Sequence, residues 1–133
     1  MAKRIVVADD DPQILKLVRA CLERKGYEVL EAQDGDAALA TIRQMRPDLV
    51  VLDLMLPKVN GWNVGFALRK EAAFQRLPII VLSGLVEADS GRQEVFDYVD
   101  FHMAKPFDTE QFVAKVEELL RDPERGQTPL EGV

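Results

Sequence analysis

The sequence predicts an α/β fold: a single doubly wound, five-stranded parallel sheet with five helices. Two observations predict it. The runs Ile5–Ala8, Leu49–Leu52 and Pro78–Leu82 are wholly apolar and short, the pattern of strands buried on both faces. Segments with apolar residues at helical spacing alternate with the strands. Parallel strands need such crossovers, and five strands alternating with five helices build βαβ units, right-handed, with helices on both faces of one sheet.

The elements follow in order. Ile5–Ala8 is the first strand, and it runs into Asp9-Asp10-Asp11-Pro12. Acids and a proline suit the first turn of a helix, where free N–H groups and the dipole favour negative charge. Ile14, Leu17, Val18, Cys21 and Leu22 then recur at helical spacing, and Gly26 stops the helix. Tyr27–Ala32 is the second strand and Asp34-Gly35 a turn. Ala37, Ala38, Leu39, Ile42 and Met45 mark a second helix, ending before Pro47. The third strand starts at Leu49 and stops at Asp53. After a loop containing Pro57, a helix from Gly61 to Glu71 turns Val64, Ala67 and Leu68 inward. Pro78–Leu82 is the fourth strand, ending in Ser83-Gly84. A helix with a thin apolar face covers Glu87 to Tyr98. Val99–Ala104 is the fifth strand, followed by Lys105-Pro106-Phe107. Asp108 or Thr109 caps the last helix, whose inner face is Phe112, Val113, Val116, Leu119 and Leu120.

A chain of 133 residues is expected to form one domain, here residues 4–121. Residues 122–133 hold two prolines and two glycines but few large apolar residues, and read as a flexible tail or a linker cut short. The net charge of −6 argues against this domain gripping nucleic acid by its phosphates. The single cysteine, Cys21, excludes an internal disulfide and reads as a buried, inert thiol. No apolar run approaches the roughly 18 residues of a membrane span, and no signal-peptide core is visible. No membrane partner and a cytoplasmic location are therefore expected.

In a parallel sheet all strand C-termini share one edge, where open α/β sheets bind ligands. That edge would gather Asp9, Asp10, Asp11, Asp53, Ser83 and Lys105. Clustered carboxylates cannot all stay ionised unaided, and a hard divalent cation such as Mg²⁺ (or Mn²⁺) resolves the conflict with oxygen ligands. A carboxylate can also be a nucleophile that forms an acyl phosphate. Asp53, at the end of a buried strand, is the candidate phosphoacceptor. Lys105 would neutralise charge on the transferring group, and the Ser83 hydroxyl would donate to one of its oxygens. Taken singly, the acids read as helix caps, the serine as a loop residue and the lysine as a surface residue. Delivered by four strand ends together, they are the set that phosphoryl transfer to Asp requires.

On the segments Ile5–Pro12, Asp53-Leu54-Met55-Leu56-Pro57 through Gly61, Pro78–Gly84 and Lys105-Pro106-Phe107, in this order and spacing, the chain resembles the receiver domain of two-component response regulators over residues 4 to 121. The resemblance implies a flavodoxin-like sheet of order 2-1-3-4-5. It implies that Asp53 is phosphorylated from a phosphohistidine on a sensor histidine kinase or histidine phosphotransfer protein. Asp9 and Asp10 match the family's acidic pair, with Asp10 the direct metal ligand and Asp9 acting partly through water. Asp53 and the backbone carbonyl of Met55 would complete the protein's ligands, while Asp11 matches a capping position. The Lys105–Pro106 bond would be cis. Phosphorylation in the family draws in the Ser/Thr, here Ser83, and an aromatic residue on the fifth strand, remodelling the face of helix 4, strand 5 and helix 5. That face would meet a downstream effector or a second copy.

The chain departs from the family pattern in two places. His102 stands at the aromatic switch position; histidine as a residue type titrates near neutrality, so pH-sensitive switching is expected. Tyr98-Val99 replaces the family's usual Gly-Ala at the turn from helix 4 into strand 5. Met55 and Leu85, two residues after Asp53 and Ser83, flank the family's path of hydrolytic water. Both are apolar, so slow self-dephosphorylation is expected, with no other enzymatic activity. Two alternatives stand beside this reading. One is a haloacid-dehalogenase-type phosphatase with Asp9 as nucleophile, although Asp9-Asp10-Asp11-Pro12-Gln13 lacks that family's final hydroxyl. The other is a receiver-like binding module that is not phosphorylated.

Overall fold

A computed structural model of the protein describes residues 2–84 and 98–121. The elements are β1 (Arg4–Ala8), α1 (Pro12–Arg24), β2 (Glu28–Ala32), α2 (Gly35–Met45), β3 (Leu49–Asp53), α3 (Gly61–Arg69), a 3₁₀ turn at Ala72–Phe74, β4 (Ile79–Ser83), β5 (Phe101–Ala104) and α4 (Thr109–Arg121). The expected helix from Glu87 lies outside the described residues up to Tyr98, as do Leu85 and residues 122–133. The strands form one sheet of order β2-β1-β3-β4-β5, with every pair parallel. This is the predicted topology.

Alternation along the strands assigns the two layers. Val6, Ala8, Val50, Leu52, Ile79 and Val81 face one side and pack with Ala38 and Ile42 of α2 and Val64 and Leu68 of α3. Ile5, Val7, Leu49, Val51, Ile80 and Leu82 face the other and pack with Leu15, Val18 and Leu22 of α1 and Phe112, Val116 and Leu119 of α4. All five residues of β3 and of β4 are buried, which is why these strands read as unbroken apolar runs.

Side-chain caps set the helix starts. Asp11 accepts from the Gln13 N–H, Asp34 from Ala37, Asn60 from Asn63, and Asp108 from both Glu110 and Gln111. Asp108, not Thr109, therefore supplies the last cap.

Three expectations need correction. The buried stripe of α1 is Leu15, Val18 and Leu22, while Leu17 is 42% exposed. An i, i+3, i+7 stripe on a helix this apolar has two nearly equivalent registers, and docking on β1 and α4 selects one. Cys21, at the edge of that stripe, is half-buried beside Arg24 and Lys25 at the α1–α4 groove. β5 begins at Phe101, not Val99. The reason is the Asp100 side chain, which accepts from the Ile79 N–H at 2.7 Å where a backbone carbonyl would continue the ladder.

Candidate functional site

β1, β3, β4 and β5 lie side by side, so their C-terminal ends form one edge. Asp9 follows β1 directly and is fully buried. Its Oδ1 accepts from the Asp11 N–H at 2.9 Å and its Oδ2 from Lys105 Nζ at 2.8 Å. Asp10, the next residue, is exposed. Asp53 closes β3, where its backbone pairs with Leu82, and is 5% exposed. Its Oδ1 accepts from the Met55 N–H at 3.1 Å, and its Oδ2 lies 3.5 Å from Lys105 Nζ. Carboxylate oxygens of Asp9, Asp10 and Asp53 all lie within 4.8 Å of one another.

Ser83 ends β4, buried, opposite Ala104. Its carbonyl accepts from the Lys105 N–H at 2.6 Å, which extends the β4–β5 ladder to the lysine itself. The Lys105–Pro106 peptide is cis, as the resemblance implied.

The electrostatics follow from crowding. Burial is the main force raising the Asp53 carboxyl above its usual range. The Met55 N–H opposes it, the Asp9 charge adds to it, and Lys105 opposes it. For Lys105, burial works against the charged form, but the hydrogen bond to Asp9 and the charges of Asp53 and Asp9 prevail and raise it above the ordinary lysine value. The ammonium is held cationic between two acids. Three carboxylates against one ammonium leave a formal charge of 1 − 3 = −2 at the edge.

The loop after β3 is fixed by contacts that the sequence reading missed. Gly61 N–H donates to the Leu54 carbonyl at 3.0 Å, and a Cβ on Gly61 would land on the carbonyl oxygen of Asp53. Only glycine lets α3 start this close to the acid. Gly35 N–H donates to the Pro57 carbonyl, and a Cβ there would strike the Val59 carbonyl. Asp34, read only as a turn residue, also pairs with Lys58 at 3.7 Å, and Lys58 holds a left-handed backbone at φ 70°. A glycine at each helix start was the available signal; which backbone it met was not.

The other candidates fall as follows. Met55 is 57% exposed beside Asp53. His102, opposite Val81 on β5, is exposed and shares the sheet face of Ser83. Asp11 caps α1. Leu85 lies outside the described residues.

Comparison with known proteins bears on this arrangement. The sequence matches the family profile described as "Response regulator receiver domain" over residues 5–117. The DNA-binding dual master transcriptional regulator RpaA of Synechocystis sp. is 41% identical over 122 residues, covering 92% of this chain and 51% of that one. The alkaline phosphatase synthesis transcriptional regulatory protein PhoP of Bacillus subtilis is 38% identical, covering 93% and 51%. The receiver domain of Francisella response regulator 1452 superposes with a TM-score of 0.81 at 29% identity, covering 90% and 97%. The chain spans about half the length of the curated relatives it matches. These findings do not favour the phosphatase alternative.

Proposed function

The chain belongs to the response regulator receiver domain family, and on that premise we propose that Asp53 accepts a phosphoryl group from a phosphohistidine, with residues 4–121 carrying the reaction. The observation that carries the reading is the pairing of a buried strand-end carboxylate with a cation 3.5 Å away and two further acids within 4.8 Å. An Asp53 oxygen attacks phosphorus, the phosphorus–nitrogen bond of the donor breaks, and the histidine nitrogen leaves with its electron pair and takes up a proton. Lys105 faces the oxygens on which charge builds, and the Ser83 hydroxyl donates to one of them.

The donor set fits a hard divalent cation. The three acidic side chains offer only oxygen, and the edge carries a formal −2. Asp10, Asp53, the Met55 carbonyl and, partly through water, Asp9 would hold Mg²⁺ or Mn²⁺. When bound, the cation would supply charge neutralisation at the phosphoryl oxygens.

Sensor histidine kinases or histidine phosphotransfer proteins are the fitting donors. Ser83 and His102, on one face of β4 and β5, would carry the switch to a downstream effector or a second copy. Activator-induced chemical shifts compared at pH 6 and pH 8 test the part of His102; identical responses would remove it. Met55 cannot orient a hydrolytic water, so the acyl phosphate should be long-lived, and Leu85→Glu with Met55→Asn should speed its decay. Among the described residues no helix is long and apolar enough to cross a membrane; the cytoplasm is the proposed location.

Intact mass after incubation with acetyl phosphate and Mg²⁺ tests the central step. One phosphoryl group is expected on the wild type and none on Asp53→Asn or with chelator. A folded wild type that gains nothing, and forms no beryllofluoride complex, would overturn the reading.

A further inference from the structure

At the opposite end of the sheet from the acidic edge lies a second, nearly buried ion pair. Arg69 Nη2 lies 3.1 Å from Asp100 Oδ2, with side chains 18% and 14% exposed. Arg69 ends α3, and its guanidinium also donates through Nε to the Tyr98 carbonyl (3.1 Å) and through Nη1 to the carbonyls of Phe74 and Leu77, both at 2.8 Å. One side chain thus ties the link between α3 and β4 to the turn that precedes β5.

Asp100 grips Ile79 at two points. Its N–H donates to the Ile79 carbonyl at 2.8 Å, and its Oδ2 accepts from the Ile79 N–H at 2.7 Å. This grip selects one register. A slip by one residue would bring Val99 or Phe101 opposite Ile79, and neither offers a carboxylate to that N–H. β5 has particular need of such selection. It is an edge strand of four residues, paired among the described residues with β4 alone, and its half-buried and exposed positions alternate. Phe101 and Met103 pack on the α1–α4 core but are only partly buried, so apolar burial opposes a one-residue slip, which would turn every side chain to the other face, less than it does in the fully buried β3 and β4. Lys105 leaves β5 five residues beyond Asp100, about 16 Å along the strand.

The same helix reaches the acceptor. α3 begins at Gly61, packed on the carbonyl of Asp53, and ends at Arg69, which holds Asp100. Its nine residues form a strut about 13 Å long between the end of β3, which carries Asp53, and Asp100, which precedes the strand leading to Lys105.

We propose that Arg69 and Asp100 are a register clamp on β5 and act as positioning residues for Lys105, setting its ammonium against Asp9 and Asp53. The proposal rests on the reading that Lys105 assists phosphoryl transfer to Asp53, but the placement of the lysine can be read without that chemistry.

The test is the Lys105 ammonium resonance in ¹⁵N-labelled protein, assigned by its loss in Lys105→Ala. It is read in wild type, Asp100→Ala, Asp100→Asn, Arg69→Met and the double variant Arg69→Met/Asp100→Ala, alongside the rate of phosphorylation by acetyl phosphate. The pair Arg43–Glu71, which joins α2 to the segment after α3 at 2.7 Å, supplies the control Arg43→Ala. Both alanine and methionine single variants should shift or broaden the Lys105 signal and slow phosphorylation about tenfold or more, since an ångström of misplacement is costly at a reacting centre. The double variant should cost no more than the worse single one. Asp100→Asn, which keeps an oxygen for Ile79, should fall between wild type and Asp100→Ala, and Arg43→Ala should leave the signal in place. An unchanged Lys105 signal in folded Asp100→Ala, or in Asp100→Asn should the alanine variant not fold, would overturn the clamp, whatever the rate does. So would an equal shift in Arg43→Ala. If wild type takes up no phosphoryl group while the clamp variants still displace the lysine signal, the functional reading fails and the clamp stands.

Discussion

The two ends of the sheet each hold an aspartate against a cation, and they are finished differently. At the β4–β5 start, Asp100 meets Arg69, and the guanidinium directs further donors at the carbonyls of Tyr98, Phe74 and Leu77. Arginine suits this place because its rigid fork cannot lose its charge and can tie several acceptors at fixed angles. At the strand C-termini, Asp9 and Asp53 share Lys105, a point charge on a flexible stem, and Asp10 adds a third acid. In the first pair the two charges balance. The second group carries a formal excess of two negative charges, and burial holds one of its members, Asp53, above the ordinary carboxylate range. A fold gains nothing in stability from that excess; it suits a cation and a phosphoryl group that arrive from outside.

The contrast can be broken or sharpened by substitution. The largest effect is expected at Asp53: Asp53→Asn should abolish uptake of a phosphoryl group from acetyl phosphate, read by intact mass. Next, Lys105→Ala should slow that uptake on the order of a hundredfold, the scale of losing one donor to a developing charge, in stopped-time mass measurements. At the balanced end, besides displacing Lys105, Asp100→Ala should cost stability: it strips the partner from a largely buried guanidinium, a loss on the order of 3 kcal/mol that should lower the urea midpoint. A smaller effect has a definite sign. Because the folded state raises the Asp53 carboxyl, its contribution to stability is fully present below the ordinary carboxylate range and is lost as pH rises through the raised value. In metal-free buffer, Asp53→Asn should remove that downward slope and melt above the wild type at neutral pH. Smallest of all, Arg19, exposed and paired with Glu23 and Glu31, should cost under about 1 kcal/mol on replacement by alanine, read as a small change in the same urea midpoint.

The acidic end was far more legible in the sequence than the balanced one. Asp9, Asp10, Asp53, Ser83 and Lys105 each sit where an apolar strand stops, so the topology alone gathers them on one edge. The site's acids and lysine come together as the parallel pattern required. Arg69 and Asp100 carry no such mark. They are 31 residues apart, and an arginine at a helix end beside charged neighbours looks like a solvated surface residue. Missing that pair placed the start of β5 two residues early. The register of α1 was missed for a related reason: Ile14, Leu15, Leu17 and Val18 offer two apolar stripes, and only contact with β1 and α4 decides between them. Gly35 and Gly61 were visible as helix-start glycines, but the carbonyls that exclude a side chain there belong to the loop after β3 and to Asp53.

The most direct measurement is to locate the acyl phosphate. Protein treated with acetyl phosphate and Mg²⁺ would be reduced with borohydride, which converts an aspartyl phosphate to homoserine, and digested for peptide sequencing by mass. A single homoserine is expected, at position 53. Homoserine at position 9 would instead mark Asp9 as the nucleophile and contradict the assignment of the acidic end, and a peptide map without homoserine would contradict the phosphoacceptor reading itself.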